Sequence, residues 1–403
     1  MEICTVGRIR DCTDTIKLNI CMVLENGSTL NCQRDLRQRE RHSQRRCLQW
    51  NKNMVCIFFF AIQMRQEQRI RRRFFLMCLL LAVMVLGSLR AGFTSLTMGD
   101  VFRVLTGGGT REENLILFDF RMVRIVLAVL VGAGLSVSGT VFQTISKNPL
   151  ASPDLLGVSA GAGMAVMLYT LLEPEGQGGN VFLLPVVSLG GALLTSVLIY
   201  GIAHRKGEAV SPIRMVLIGV SVTAGINAAD ILIAVRLSPE KFHLVNTWMI
   251  GSVYGNSWKH VLALLPWILI LVPALLVQSR ELDLLHLKDE VAIGLGAALK
   301  RSRLIYLMMA AALAAACVSV GGAIGFVGLI CPHLAAKLTG AGHRHRIPAA
   351  ALLGAILLLG ADWIARTVIA PDEMLLGIVV SLVGAPYFLY ILLGAGKKEG
   401  GAL

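Results

Sequence analysis

Residues 261–277 read VLALLPWILILVPALLV, a run without a single charged side chain. Similar apolar runs occupy residues 74–87, 125–137 and 349–361. A helix needs about 20 predominantly apolar residues to cross the hydrocarbon core of a bilayer. A large soluble protein would hold few runs of this length in its core. Their recurrence therefore predicts an all-α, polytopic integral membrane protein.

The composition agrees with a membrane environment. Hydrophobic residues make up 55% of the 403 residues and charged residues 16%, whereas soluble domains carry about 25% charged residues. The net charge is +13, but the basic residues cluster at the ends of apolar runs, at 204–206, 300–303, 343–346 and 397–398. Such clusters are typical of the cytoplasmic flanks of membrane helices. They do not form the basic face with interleaved aromatic residues that nucleic-acid binding needs, so we exclude nucleic acid as a partner.

The apolar runs predict about ten membrane-spanning helices. We place them at 74–92, 122–144, 153–172, 182–203, 213–234, 260–279, 304–320, 322–340, 348–368 and 374–394. The basic clusters then fall on one side, which predicts an inner-membrane protein with both termini in the cytoplasm. Because each half of the chain holds five helices, the second half enters from the opposite side. The two five-helix halves are therefore expected to be inverted.

Residues 1–63 differ from the remainder of the chain. They contain six of the nine cysteines and no apolar run of helix length. The cysteines lack CxxC spacing and histidine partners, so a metal site is not expected there. We interpret 1–63 as a non-native extension that arises from the choice of start site, or as a poorly ordered one, with Met64 beginning the ten-helix membrane domain 64–403.

Two stretches carry a resemblance to a known family. The first begins with Arg121-Met122-Val123-Arg124 and continues through Asn148-Pro149-Leu150-Ala151. The second reads GFVGLICPH at 325–333 and ends with GAPYF at 384–388. Together they resemble the FecCD family of ABC-importer permeases, which carry ferric siderophores, haem or cobalamin. The likeness runs from about residue 74 to residue 394, in order and at matching spacing.

The resemblance implies a transport subunit rather than an enzyme. It implies a second permease copy or paralogue, two cytosolic ATPase subunits and an extracytoplasmic substrate-binding protein. ATP would be used by the ATPase subunits, because this chain has neither GxxxxGKS nor GxxxxGKT and its GAGKK at 394–398 lacks the first glycine and the hydroxyl residue. No cofactor is expected in this chain. A ferric siderophore is the expected cargo, with haem and cobalamin as alternatives.

Three arginines are candidates for docking the binding protein. Arg121, Arg124 and Arg366 match arginines that, in the resembling family, form pockets for acidic side chains of that partner. They stand at the outer ends of the second and ninth predicted helices, where all three can face the water outside. A guanidinium suits a bidentate contact with a carboxylate. Alternatively, they anchor helix ends at lipid headgroups, and Arg366 pairs with Asp362 one helical turn earlier.

The connection 280–303 is a candidate for ATPase coupling. It has the pattern of short amphipathic helices, and an inner loop without a role would be shorter and more polar. Ala292, Leu295 and Gly296 fall where the family's coupling segment has its Ala and Leu-Gly. We expect this cytoplasmic segment to dock the ATPase.

Helix-breaking residues are candidates for the gate. Proline restricts the residue before it and lacks a donor, so Asn148-Pro149 is expected to end a helix, whereas Pro332 sits in mid-helix. Both positions are open to a structural or a gating role. We find no metal-ligand cluster or catalytic set in the sequence. The alternative function is an ion-coupled secondary transporter that uses Asp230 or Asp362, because an ionisable residue in a membrane span is a functional candidate.

Overall fold

The described part of the chain folds almost entirely into α-helices. The computed structural model describes residues 67–90, 97–173, 183–204, 212–252, 257–340, 342–369 and 373–399. In chain order the helices are α1 Glu67–Arg90, α2 Met98–Leu105, α3 Arg111–Ser146 with a π-helical stretch at Leu115–Met122, α4 Val158–Leu172, α5 Leu183–Ala203, α6 Pro212–Ala234, α7 Pro239–Ile250, α8 Trp258–Val277, α9 Ser279–His286, α10 Asp289–Gly294, α11 Leu299–Gly321, α12 Val327–Thr339, α13 His343–Thr367 and α14 Leu376–Glu399. The extension 1–63 lies outside the described residues, and its interpretation stays a prediction.

Ten of these helices correspond to the predicted spans. Among the described residues, α1, α3, α5, α6, α8, α11 and α13 are long and apolar enough to cross a membrane. The other three predicted spans are shorter apolar helices, namely α4, α12 and the part of α14 at Leu376–Ile391. The all-α, membrane-spanning fold class is therefore confirmed. The inversion of the two five-helix halves stays a prediction.

α3 and α11 form the centre of the helical bundle. In the most apolar window of each helix, 78% of α3 and 72% of α11 are buried, against 17% of α1 and 11% of α6. α3 packs against α11, α12 and α13. α1 instead exposes Phe75, Leu79 and Val83. An exposed apolar surface of this kind is stable when lipid covers it, so α1 and α6 lie at the periphery of the chain.

Small residues set the distance between α3 and its neighbours. A Cβ on Gly132 would overlap the carbonyl group of Gly354 in α13, and a Cβ on Gly139 would overlap the carbonyl oxygen of Gly328 in α12. Helices in a membrane gain little from the hydrophobic effect, so close backbone packing supplies much of their attraction. These glycines therefore hold the centre of the bundle together.

The predicted connections contain more helix than the sequence indicated. α2 and the first residues of α3 lie within the predicted connection 93–121, and α7 lies within 235–259. Threonine capping boxes explain the first two starts: Thr97 pairs with Asp100 ahead of α2, and Thr110 pairs with Glu113 at the start of α3. Each box satisfies two backbone N–H groups that would otherwise lack partners.

Two predicted span boundaries were wrong because a glycine interrupts the helix. The span predicted at 153–172 begins with a short 3-10 helix at Pro153–Leu156 and becomes α-helical only at Val158, after Gly157 with φ +63°. The span predicted at 322–340 begins only at Val327, because Gly322 has φ +73° and the backbone stays non-helical up to there. A Cβ at Gly322 would overlap the carbonyl oxygen of Trp248 in α7. The break therefore brings α7 against the junction between α11 and α12.

Substitution of Gly139 tests the central packing. Gly139→Ala forces α3 away from α12, and we expect a loss of roughly 1–3 kcal/mol in the free energy of unfolding, as for other overpacked cores. The measurement is the melting temperature of the detergent-purified protein.

Gly190→Ala is the matched control. Gly190 lies on the exposed side of α5, where an added Cβ meets no atom within 4 Å. Alanine favours a helix over glycine by about 1 kcal/mol, so this variant should be as stable as the wild type or more so. Equal melting temperatures for the two variants would contradict the packing argument.

Candidate functional site

α8 and α11 define two ends of the bundle. α8 leads from Trp258, after α7, to Val277, next to α9. α11 leads back from Leu299, after α10, to Gly321, whose carbonyl accepts a hydrogen bond from the Ser252 amide beyond α7 (3.1 Å). We call the end of the bundle with Trp258 and Gly321 the α7 end, and the end with Val277 and Leu299 the α9–α10 end. The 20 residues of α8 separate them by about 30 Å.

An arginine cluster lies at the α7 end and consists of Arg121, Arg124, Asp362, Arg366 and Glu373. Asp362 is fully buried, accepts a hydrogen bond from Arg124 Nε at 2.7 Å and lies 2.9 Å from Arg366 Nη2. Arg124 Nη1 also contacts both carboxylate oxygens of Glu373, at 2.8 and 3.0 Å. The side chains of Arg124 and Arg366 are only 12% and 5% exposed. A buried carboxylate thus compensates two buried guanidinium groups.

Arg121 takes part in the cluster through backbone groups. It is buried and donates to the carbonyl oxygens of Leu89 (2.6 Å) and Arg90 (3.2 Å) at the end of α1. Arg366 reaches α1 as well, through the Ser88 hydroxyl. The expectation that all three arginines face water is wrong for Arg121 and Arg366, because these internal acceptors attract their side chains inward. The pairing of Arg366 with Asp362 is observed, and docking stays a prediction.

α9 and α10 are the short helices that the sequence predicted in 280–303. We call 280–303 the coupling segment after its predicted role, and docking of the ATPase stays a prediction. Ala292 lies on the buried side of α10, whereas Leu295 just after the helix is 61% exposed. Val291 and Ile293 are exposed beside Leu295. Gly296 has φ +86°, a conformation that disfavours any side chain, although an added Cβ would meet open space. The segment therefore presents an apolar surface at the α9–α10 end.

Asp289 connects the coupling segment to two membrane helices. Its carboxylate accepts hydrogen bonds from Lys147 at the end of α3 and from Arg303 in α11 at 2.6 Å. Partial burial favours the protonated form, but these hydrogen bonds outweigh it and lower the pKa of Asp289 below its usual range. Asp289 is therefore ionised at neutral pH, which maintains both bridges.

Two further bridges connect the segment to α13 and α11. The Asp283 carboxylate lies 2.6 Å from His343 Nδ1, and His343 Nε2 lies 2.6 Å from the Thr144 hydroxyl of α3. Glu281 accepts a hydrogen bond from the Tyr306 hydroxyl at 2.5 Å. Together with Asp289 and its partners, these side chains form what we call the coupling network. It joins α9 and α10 to the near ends of α3, α11 and α13.

The predicted helix stop at Asn148-Pro149 lies next to this network, because Lys147 directly precedes it. α3 ends at Ser146, Lys147 has φ +52°, and the Asn148 side chain accepts a hydrogen bond from the Leu150 amide at 2.9 Å. The predicted helix stop at Asn148-Pro149 is therefore observed. Pro332 lies inside α12 and is buried. A gating role for Asn148, Pro149 or Pro332 stays a prediction.

The intramembrane carboxylates differ in their surroundings. Asp362 is neutralised by the arginine cluster. Asp230 in α6 is buried, and neither of its carboxylate oxygens has a hydrogen-bond partner among the described residues. In the part of the chain that the structure describes, no group of three or more His, Cys, Asp or Glu residues is placed to hold a metal ion.

Comparison with known proteins identifies the family. Residues 79–394 match the FecCD transport family. The chain belongs to this family.

Known relatives span nearly the whole membrane domain. Iron(3+)-hydroxamate import system permease protein FhuG of Bacillus subtilis (strain 168) is 42% identical over 322 residues, which are 79% of this chain and 95% of the relative. Fe(3+)-citrate import system permease protein YfmE of the same organism is 38% identical over 339 residues, 83% of this chain and 100% of the relative. An inward-facing structure of a metal-chelate type ABC transporter superposes with a TM-score of 0.72 at 28% identity, covering 80% of this chain and 99% of that one.

The stretch Arg121-Met122-Val123-Arg124 lies inside one continuous helix. α3 runs without a break from Arg111 to Ser146, and its π-helical stretch ends at Met122. Arg121 and Arg124 both belong to the arginine cluster.

The sequence analysis did not identify several residues of the arginine cluster and the coupling network. Glu373, Asp283, Asp289 and His343 carry their ion pairs, yet each reads as an ordinary loop or helix-end residue. Their partners lie far away in the sequence. The sequence offered one signal. Each of these loops contains a carboxylate, and the predicted topology places it on the same side of the membrane as basic residues.

Replacement of Arg366 tests the buried charge compensation. Arg366→Gln removes one of the two cations that neutralise buried Asp362, so we expect a loss of about 3–5 kcal/mol in stability, the usual result of breaking a buried pair. Arg103→Gln is the control, because Arg103 is 51% exposed in its pairs with Asp100 and Glu113 and such pairs contribute about 1 kcal/mol or less. The melting temperatures of the two purified variants are compared. A similar fall in both would refute the assignment.

Proposed function

We propose that the chain is the membrane permease subunit of an ATP-driven, binding-protein-dependent importer of an iron chelate, with a ferric siderophore as cargo. FecCD membership supports this, as do relatives whose names specify import of iron(3+)-hydroxamate and Fe(3+)-citrate. The proposed assembly contains a second copy or paralogue of the permease, two cytosolic ATPase subunits and an external binding protein. ATP is hydrolysed by the ATPase subunits.

The observation that carries the proposal is the exposed apolar surface of the coupling segment. Val291, Ile293 and Leu295 are exposed next to charged residues, at the end of the bundle where the helices stop. An apolar patch rimmed by polar residues is typical of a protein interface. We assign this surface to the ATPase, with Ala292 packed beneath it and Gly296 allowing the turn after α10.

The coupling network supplies a route for the motion. Asp289 holds α3 and α11, Asp283 holds α13 through His343, and Glu281 holds α11 through Tyr306. A displacement of α9 and α10 would therefore move the ends of three central helices together. Asn148 and Pro149 lie in the turn after α3. Pro332 removes a backbone donor inside α12, which packs against α3. All three residues are therefore suited to a gate.

We infer that the α9–α10 end is cytoplasmic. The basic clusters 300–303 and 343–346 and residue Lys147 belong to this end, as expected for cytoplasmic loops. The α7 end then faces the binding protein. Arg124 is the most exposed of the three arginines and would receive an acidic side chain of that partner. Glu373, which is 35% exposed, would then give up part of its own contact with Arg124.

Separation of the subunits tests the energy source. The permease alone, reconstituted in proteoliposomes, should neither hydrolyse ATP nor accumulate ferric chelate. Adding the ATPase and the binding protein should produce ATP-dependent uptake. Accumulation by the permease alone under a proton or sodium gradient would contradict the proposal and favour an ion-coupled transporter.

The ion-coupled alternative now depends on Asp230. Asp362 is held by two arginines, whereas the Asp230 carboxylate lacks a partner among the described residues. Under our proposal, Asp230→Asn keeps ATP-driven uptake.

Substitution of Leu295 tests the docking surface. Leu295→Glu places a charge in an apolar contact, and we expect less ATPase to co-purify and uptake to fall about tenfold, as for an interface hot spot. Leu295→Met keeps an apolar side chain and should behave as the wild type. Gly296→Arg should also uncouple transport, but its φ of +86° adds backbone strain, so Leu295 gives the clearer result. Full ATPase retention and uptake in Leu295→Glu would overturn the docking assignment.

A further inference from the structure

A cavity of about 820 Å³ lies at the α7 end. One face of α7 forms a wall of it, through Glu240, His243, Leu244, Thr247 and Trp248. These positions recur at intervals of three and four residues, so they share one side of the helix. The volume falls within the roughly 300–1,000 Å³ of small-molecule sites.

The opposite walls come from three other elements. Pro185 at the start of α5, His260 at the start of α8 and Ser319 near the end of α11 contribute to them. The lining therefore combines apolar and aromatic surface with imidazole and hydroxyl groups. A lipid chain would need no such polar groups, whereas a ligand with both carbonyl oxygens and alkyl segments would use both kinds of surface.

Glycine contacts fix the position of α7 in this wall. A Cβ at Gly322 would overlap the carbonyl oxygen of Trp248, and a Cβ at Gly377 would overlap the carbonyl oxygen of Ile250. The Gly377 amide also donates to the Gly251 carbonyl at 3.2 Å. α7 is thus clamped between the α11–α12 junction and the start of α14. A wall held in this way is pre-organised for binding.

The charge of the lining discriminates between classes of iron chelate. Among the described residues that line the cavity, none is Lys or Arg and one, Glu240, is acidic. Three hydroxamate groups cancel the charge of Fe³⁺, so a ferric trihydroxamate is neutral. A ferric tricatecholate is triply negative, and ferric citrate complexes are anionic. Transfer of such an anion into a cavity without cations is costly.

We propose that this cavity is a cargo-binding site of the permease and that it selects a neutral ferric trihydroxamate over anionic chelates. The site rests on the proposed function, since it takes the imported cargo at the end that receives the binding protein. His243, His260 and Thr247 donate hydrogen bonds to the hydroxamate and amide oxygens. Trp248 and Leu244 pack against the alkyl segments. No residue of the chain needs to coordinate the iron, because the chelator already occupies its coordination sphere.

The first test is direct binding to the purified complex of permease and ATPase in nanodiscs, without the binding protein. The probes are radioiron-labelled ferrichrome, a neutral trihydroxamate, and a radioiron-labelled ferric tricatecholate. We expect the wild type to bind ferrichrome about tenfold or more tightly than the tricatecholate. Thr247→Trp places a bulky ring in the cavity wall, where it obstructs the ligand, and should weaken ferrichrome binding about tenfold or more.

Charge substitution separates the electrostatic argument from simple blockage. Thr247→Lys adds a cation to the lining. It should reduce the ratio of the affinities for ferrichrome and the tricatecholate about tenfold. Asn246→Lys is the matched control, because Asn246 lies on the same helix outside the cavity lining and is exposed. It should keep the wild-type preference, and all variants should keep the wild-type melting temperature.

The outcomes distinguish this inference from the proposed function. ATP-driven uptake of ferrichrome and the tricatecholate is measured in proteoliposomes that contain the complete assembly. If the wild type imports an iron chelate but Thr247→Trp binds ferrichrome normally, the cavity assignment is wrong. The charge argument is wrong if Asn246→Lys shifts the preference as much as Thr247→Lys, or if the wild type prefers the tricatecholate. Failure of the wild-type assembly to import any iron chelate would instead overturn the proposed function.

Discussion

Close backbone contact along α3 is the constraint on which the other features depend. In a bilayer the hydrophobic effect does not drive helices together, so attraction comes from packing at short range. Gly132 lets α3 touch α13, and Gly139 lets it touch α12. Larger residues at these two positions would separate the helices and weaken every contact made farther along them. The bundle can therefore position charged groups at its two ends because its centre is held by glycine.

α3 carries a charged group at each end of this packed centre. Arg124 belongs to the arginine cluster and Lys147 to the coupling network, and the helix between them measures about 35 Å at 1.5 Å per residue. α13 has the same arrangement, with Asp362 and Arg366 at one end and His343 at the other. A shift at the coupling segment would be passed along two stiff helices that touch backbone to backbone. The arginine cluster would then respond without any flexible link between the two ends.

Sequence patterns predicted what depends on local composition. The apolar runs located ten apolar helices, of which seven among the described residues are long enough to span a membrane. The amphipathic pattern of 280–303 predicted the short helices α9 and α10. The patterns did not predict α7, because its mixed composition in 239–250 resembles that of a loop and its position depends on contacts with Gly322 and Gly377. Nor did they predict that Arg121 would turn inward, since the carbonyl oxygens of α1 that attract it lie about thirty residues earlier.

The break between α11 and α12 explains why the cavity and the arginine cluster lie at the same end. Had α11 continued as a helix through Gly322, a side chain there would have displaced α7, and the wall of the cavity would have moved with it. A separate glycine contact brings Gly377 against Ile250 and holds the start of α14, close in the chain to Glu373, which contacts Arg124. A ligand that moved α7 would therefore act on the Arg124–Glu373 contact through the backbone. In the proposed importer, cargo entry and release of the binding protein would therefore both depend on the position of α7.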